Sequence, residues 1–482
     1  MNNPPPDDEL SLQQSTIHRI ASYVVEARGR RVSGVARESA LKRILDLLCA
    51  VGAGASEPGA VAIRATACKY LGSGDIPMWF TGTGSSVVGA AWANSAAASM
   101  LDLDDGHRRA RGHPGAAVIP VAFAVAAEMG AGLEDLIASI VIGYEVGVLI
   151  AAARTTYGTT GTWSSYAVVA TAAALRCASC SVVEHALAIA GESGPNSLFM
   201  SAPPLSFPTP ESSDIKEGIP WSVVTGMLAL DLAEGGFTGP RNILDSGLLY
   251  RFVDVSPLGE SLHICDAYYK LYCCCRHVHP PLEATLRLIE QYRLDAKAIE
   301  AIDIETYGGA LRIANQTCPA TLVDVQYSIP YCVALAALAG RESLLPLTTD
   351  CLTYEGVSAL ANKVSLTVDA EFDKQFPART LARVTIVCGG RRYVSEVTEP
   401  RGEAGDPLSW EELKAKYVAA TRFHATGAQQ EQLLAAVEEL RSKADLEPLK
   451  ACMSTSFENS IARAECLRSS NNMIFGWDNF KD

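Results

Sequence analysis

Residues 136–153, LIASIVIGYEVGVLIAAA, run for 18 positions with a single charged residue, Glu145. A helix that is apolar all round has no face for water, so it must be enclosed by lipid or by other helices of its own chain. This run barely reaches the length of a span, carries a carboxylate and has no companion span. It therefore predicts a helix at the centre of a helical domain and no membrane association. The neighbours it needs are close by in the chain. SSVVGAAWANSAAASM (85–100) is written in small residues, as where helix axes approach closely. AFAVAAEMGA, residues 164–176 and VVEHALAIAGE (182–192) read as further buried helices, and IHRIASYVVEA and ALKRILDLLCAVGAGA as the amphipathic first two. Pro114 and Pro120 predict breaks before AFAVAAEMGA.

The periodicity changes near residue 265. IEAIDIETYG (299–308), VSLTVDAEF (364–372) and ARVTIVCGGRRYVSEVTEP (382–400) alternate as strands do, the last folding back at Gly389-Gly390. SIPYCVALAALAG (328–340) between them is helical. From about 408 the pattern is helical again, with Ser409 and Glu412 spaced as a capping box. The expected fold class is mainly α with an inserted α+β lid. The expected organisation is a polar tail 1–15, an all-helical domain 16–268, a lid 269–402 and a helical return 403–482.

Apolar residues make up 48% of the chain and aromatics only 7%, so the core rests on Ala, Val and Leu. A net charge of −14 excludes a general binder of nucleic acid, whose phosphates require basic surface. Cations clustered in such a chain therefore need a local reason. One cluster is LDLDDGHRRARGHPGAAVIP (101–120), three acids, three arginines and two histidines between apolar runs. A second histidine pair, His277 and His279, lies in KLYCCCRHVHPP at the expected domain boundary, a common place for a site. Imidazole beside Arg and Lys combines proton transfer with affinity for carboxylates. Lys216, in DIKEGIPWSVVTGMLAL, stands before a helix start, where anions are favoured.

Other chemistries find less support. Cys177 and Cys180 form a C-x-x-C without a second ligand pair, and the adjacent Cys273, Cys274 and Cys275 fit neither iron–sulfur spacing nor ordered disulfides. No metal is expected. FTGTGSS (80–86) lacks the strand–helix–strand surroundings of a dinucleotide loop, and no G-x-S-x-G elbow is present. The polar, acidic MNNPPPDDELSLQQ carries no apolar signal core, and with the thiols read as reduced it points to a cytoplasmic protein.

Taken together, AAWANSAAASMLDLDDGHRRARGHPGAAVIP, IVIGYEVGVLI, ALAIAGESGPNS, DIKEGIPW, GGFTGP, KLYCCCRHVHPPLEA and VQYSIPYCVALAAL resemble, in order, the MmgE/PrpD family of 2-methylcitrate dehydratases, cis-aconitate decarboxylases and an iminodisuccinate epimerase. The resemblance implies a helical domain built from both chain ends, an inserted lid, a homodimer, and catalysis without metal or organic cofactor in the cleft between the two. It assigns Asp102, His113 and Lys216 to catalysis. Lys270, Arg276, His277, His279, Gln326 and Ser328 it assigns to substrate binding, with Tyr327 beside them. Three positions depart from the pattern: Gly158 replaces a histidine found in decarboxylases, Gly106 a threonine, and Cys275 a further histidine.

The expected function is a cofactor-independent lyase, dehydratase or decarboxylase, acting on a small di- or tricarboxylate such as an alkylcitrate or aconitate-type acid. Two alternatives accompany it: an epimerase or isomerase working by proton transfer, and a carboxylate-binding member without catalysis.

Overall fold

The computed structural model describes residues 15–156, 158–195, 213–254, 258–260 and 262–458. The tail expected over 1–15 lies outside them except for Ser15, as do residues beyond 458. Helices α1 (Thr16–Ala27), α2 (Gly34–Gly54), α3 (Pro58–Tyr70), α4 (Val87–Ser99), α5 (Gly115–Met129), α6 (Leu133–Ala153), α7 (Gly161–Leu175), α8 (Cys180–Ser193) and α9 (Ile219–Glu234) form the first helical unit. Serine side chains start four of them: Ser15, Ser33, Ser86 and Ser179 each accept a backbone N–H two or three residues into the helix.

The apolar run is α6, long and apolar enough to span a membrane and 94% buried along that window by its own chain. It lies along α7 and touches α5 and α2. Small residues let the axes close up: a Cβ at Gly143 would meet Thr171 Oγ1 at 2.1 Å, and one at Gly147 the Ala167 methyl at 2.7 Å. Glu145, enclosed here, accepts the His263 backbone N–H at 2.5 Å; burial pushes its carboxyl up to about 8, against that bond.

Pro114 precedes α5 as expected, but Pro120 does not break it; the helix runs through from Gly115 to Met129. The ring removes one backbone bond in the second turn. Continuous burial from Gly115 to Ala126 holds the helix on either side of that gap.

After α9 the chain passes through a single helical turn, His263–Asp266, into the short strand β4 (Ala267–Tyr268). This strand pairs antiparallel with β3 (Gly106–His107), setting Gly106 opposite Tyr268. β1 (Ile76–Met78) and β2 (Thr83–Ser85) make another small ribbon. Beyond lie α10 (His279–Tyr292), α11 (Ile329–Ala339) and a four-stranded sheet ordered β6-β5-β7-β8. β5 (Ile299–Thr306), a central strand, runs parallel to β6 (Val364–Val368) with Ile302 opposite Val364, and antiparallel to β7 (Arg383–Cys388). β7 turns into β8 (Arg391–Val394) through Gly389 and Gly390, at φ 57° and 68°, the left-handed pair a two-residue hairpin demands.

The strand-like reading of 364–372 holds only to Val368. The Asp369 carboxylate accepts the N–H groups of Glu371 and Phe372 and starts a helical turn instead.

Helices α12 (Trp410–Thr421), α13 (Gly427–Lys443) and α14 (Glu447–Ser454) close the described chain. Ser409 and Glu412 form the reciprocal cap at the start of α12. α12 packs against α2, where the buried Lys416 ammonium meets Asp46 Oδ1 at 2.6 Å and the Leu103 carbonyl at 3.1 Å.

Candidate active site

The charged segment 101–114 joins α4 to α5 and forms one wall of a cavity of about 260 Å³. The opposite walls come from Glu217, from Tyr268, Cys275, Arg276 and His277, and from the lid residues Arg312, Tyr327, Phe376 and Thr380. Asp102, Arg111 and Glu217, with Lys216 next to it, all hold left-handed backbones, φ 56°, 52°, 56° and 43°. For residues other than glycine that conformation is costly and persists where surrounding structure enforces it.

The three acids of the segment do different work. Asp105 Oδ1 accepts the Gly115 N–H at 3.0 Å and Oδ2 the Tyr144 hydroxyl at 2.7 Å, which fixes the start of α5. Asp104 Oδ2 lies 3.4 Å from His113 Nδ1. Asp102 Oδ1 receives the Lys270 ammonium at 2.9 Å and stands 3.7 Å from His113 Nε2. Burial would raise the Asp102 carboxyl, but Lys270, Lys216 and His113 outweigh it and hold the group at about 2.

His113 is enclosed by the same charges. Its Nδ1–H donates to the Asp105 carbonyl at 2.9 Å, which turns Nε2 toward Asp102. Burial and Lys270 oppose a charged ring; Asp104 and Asp102 prevail and lift it to about 9. At neutral pH His113 is an imidazolium. Its backbone N–H donates to Thr160 Oγ1 at 3.1 Å, and that hydroxyl donates to Glu217 Oε2 at 2.7 Å. The loop, α7 and the Lys216–Gly218 turn are thus joined through one threonine.

His277 is the opposite case. Burial, aided by Arg108, lowers it to about 4, so the ring is neutral. Nδ1 lies 2.6 Å from the Tyr307 hydroxyl. In the tautomer that donates from Nδ1, Nε2 keeps its lone pair.

Of the remaining expected residues, several stand behind the cavity wall. Lys270 is fully buried against Asp102. Lys216 donates to Gln326 Oε1 at 2.6 Å, and Gln326 donates to the Met100 carbonyl at 3.0 Å. Arg276 borders the cavity, yet its guanidinium is already engaged by Glu403 and the Tyr269 and Arg401 carbonyls. Glu403 also takes Arg108. His279 and Ser328 do not line the cavity. His279 Nε2–H donates to the Cys274 carbonyl at 3.3 Å, and Ser328 caps α11 by accepting the Tyr331 N–H while donating to the Gln316 carbonyl.

The structure adds residues that no motif marked. Arg312 is exposed at the cavity, and among the described residues no side-chain bond holds it. Tyr268, with the guanidiniums of Arg276 and Arg108 at 4.5 and 5.4 Å from its ring, lines the wall with a hydroxyl that makes no hydrogen bond among the described residues. Its place explains Gly106: a Cβ there would lie 2.3 Å from the Tyr268 hydroxyl oxygen. At Gly158 a Cβ would stand 2.8 Å from Arg154 Nη2 and from Thr162 Oγ1. Burial raises the Cys275 thiol to about 12, so it is protonated at neutral pH and a poor nucleophile.

Two family models match the chain, the MmgE/PrpD N-terminal domain over residues 18–257 and the MmgE/PrpD C-terminal domain over residues 272–442. Among curated proteins, a cis-aconitate decarboxylase of Aspergillus terreus (strain NIH 2624 / FGSC A1156) is 28% identical over 371 residues, covering 68% of this chain and 74% of that protein. A second cis-aconitate decarboxylase of Aspergillus terreus is 27% identical over 375 residues with the same coverage.

Proposed function

The chain belongs to the MmgE/PrpD family, and from that premise we propose that it is a lyase for a small di- or tricarboxylate, removing water by paired acid and base catalysis. The observation that carries this reading is that one cavity holds two histidines displaced in opposite directions, His113 to about 9 and His277 to about 4. Groups pushed apart in this way at neutral pH are a ready acid and a ready base.

In the proposed reaction His277 Nε2 takes the proton from the carbon next to a carboxylate. The freed electron pair forms the carbon–carbon double bond as the bond to the β-hydroxyl breaks, and His113 Nε2 gives its proton to the departing hydroxyl as water. Charge gathering on the substrate carboxylate during proton removal is stabilised by cations. Arg312 is free to pair with a carboxylate of the substrate. Lys270 and Lys216 act from behind, one fixing Asp102 and the other Gln326.

The two Aspergillus relatives favour a second reading, loss of carbon dioxide. There the bond to a carboxylate breaks, its electrons stay on carbon, and His113 protonates that carbon. Gly158 weighs against it, since Arg154 and Thr162 crowd the place where decarboxylases carry a histidine. Mass spectrometry after incubation with citrate, alkylcitrates, cis-aconitate and alkyl-substituted aconitates separates the readings. Loss of water supports the first and loss of carbon dioxide the second. If every acid is returned unchanged, with solvent deuterium taken up beside a carboxylate, the protein is an epimerase.

A homodimer is part of the proposal. Trp221, Leu228 and Leu232 on α9 and Phe237 just beyond it are each more than 40% exposed, an apolar stripe suited to a second copy. Light scattering behind size exclusion tests it.

A further inference from the structure

His107 and His263 have no part in that chemistry, and both are almost wholly enclosed, 1% and 2% exposed. Their rings meet edge to face with centroids 5.7 Å apart. His107 Nδ1 accepts the Ala110 N–H, but its Nε2 is buried with no partner among the described residues, and so is His263 Nδ1. Buried polar atoms are normally satisfied, so two orphaned imidazole nitrogens in one place require an explanation. The Asp266 carboxylate completes the group: one ligand atom from each of the three residues falls within 4.8 Å of the others.

We propose that His107, His263 and Asp266 form a binding site for a divalent transition-metal ion of the zinc type. Two imidazoles and one carboxylate are a borderline-soft donor set, and three protein ligands leave a fourth position for solvent. Bonds of about 2.0–2.1 Å require a close approach of the three atoms, which already lie within 4.8 Å of one another. Asp266 is exposed and has room to make that approach.

The other two groups of this composition serve less well. At Asp102, Asp104 and His113 the Lys270 ammonium already holds Asp102. At His18, Cys180 and Glu184 both carboxylate oxygens are taken, by His18 and Arg241. The proposed site has nearby cations, and their placement leaves it open. Arg43 is held by the Ala267 carbonyl and stacks over Tyr269, while Arg109 is exposed. Burial lowers both rings, His107 to about 3 and His263 to about 4, so both are neutral. An ion on His107 Nε2 requires that ring's proton on Nδ1, in exchange for the 3.3 Å bond from the Ala110 N–H.

The consequence is mechanical. His107 ends β3 and the His263–Asp266 turn leads straight into β4. An ion there ties the charged loop to the segment that carries Tyr268 and Lys270.

The test is zinc chloride titrated into full-length, chelator-stripped protein, followed by calorimetry and by elemental analysis after desalting. One zinc per chain is expected, with a higher thermal midpoint. Asp266→Asn, at an exposed position that leaves the core intact, is expected to weaken binding at least tenfold, and His263→Gln to abolish it. His18→Gln leaves it unchanged. With cobalt(II), visible absorption of a four-coordinate ion appears in the parent protein and is lost in Asp266→Asn. Absence of zinc binding at 100-fold excess overturns the proposal, as does unchanged affinity in Asp266→Asn, which places the ion elsewhere.

Discussion

The Lys270 ammonium lies 2.9 Å from Asp102 Oδ1 and 2.9 Å from the backbone carbonyl of the same residue. One buried cation therefore grips both the side chain and the main chain of Asp102, whose φ of 56° needs such a hold. It also helps hold the Asp102 carboxyl down at about 2, so at neutral pH Asp102 is a carboxylate that sets charge and does not shuttle protons.

Asp102→Asn leaves Lys270 charged, enclosed and without its anion. Breaking a buried pair in this way costs about 3–5 kcal/mol. Urea unfolding should show that loss. Asp102→Leu combined with Lys270→Met removes both charges but also the hold on the carbonyl of residue 102, and is expected to recover part of the stability and none of the turnover. If the double variant is as active as the parent, the pair has no place in the chemistry.

The histidines predict a bell-shaped dependence of kcat/KM on pH. Activity rises as His277 loses its proton near pH 4 and falls as His113 loses its own near pH 9. His113→Gln removes the alkaline limb and His277→Asn the acid limb, each with a loss of roughly 10²–10⁴-fold. The same His113 shift affects stability. Its contribution is complete below pH about 6.5, the ordinary histidine value, and disappears as pH rises through about 9. A midpoint of thermal unfolding that did not fall between pH 7 and 9.5 would contradict this.

Gly106→Ala places a methyl 2.3 Å from the Tyr268 hydroxyl oxygen and 2.4 Å from the ring carbon that bears it. Overpacking of this kind costs about 1–3 kcal/mol. Tyr268→Phe relieves little, because the ring carbon remains; Tyr268→Ala relieves most. A double-mutant cycle by denaturant unfolding measures the coupling.

Arg312→Ala should leave the unfolding midpoint where it was, since the side chain is exposed and has no bond among the described residues to lose. Its effect falls on substrate. A charge-assisted bond of about 1.5–3 kcal/mol corresponds to roughly a 10–100-fold rise in KM. An unchanged KM for every carboxylate the protein accepts would remove Arg312 from the site.

Much of the fold could be read from the chain. The enclosed helix announced itself through LIASIVIGYEVGVLI, and the β7–β8 turn through two glycines. Charge in an apolar setting marked the segment 101–120, and the resemblance to a family singled out Asp102 and His113 within it. What the pattern could not convey was direction. Arg276 and His279 share one short segment with His277, yet Arg276 turns its charge to Glu403 and His279 its nitrogens to its own turn. Arg312 carried no signal at all in GGALRIANQ; only the packing of the lid brings it to the cavity. Pro120 misled for a related reason, because burial of a whole helix outweighed one missing hydrogen bond.

The contact between Lys416 and Asp46 spans 370 positions of sequence. On a ribosome adding about 5–20 residues per second, Asp46 waits roughly 20–70 s for its counter-ion. Throughout that interval α2 has no α12 to cover it, and Leu103, which leads into the charged loop, lacks the ammonium that holds its carbonyl. A nascent chain therefore completes this wall of the cavity only as α12 emerges, and a product truncated before it carries an unfinished one.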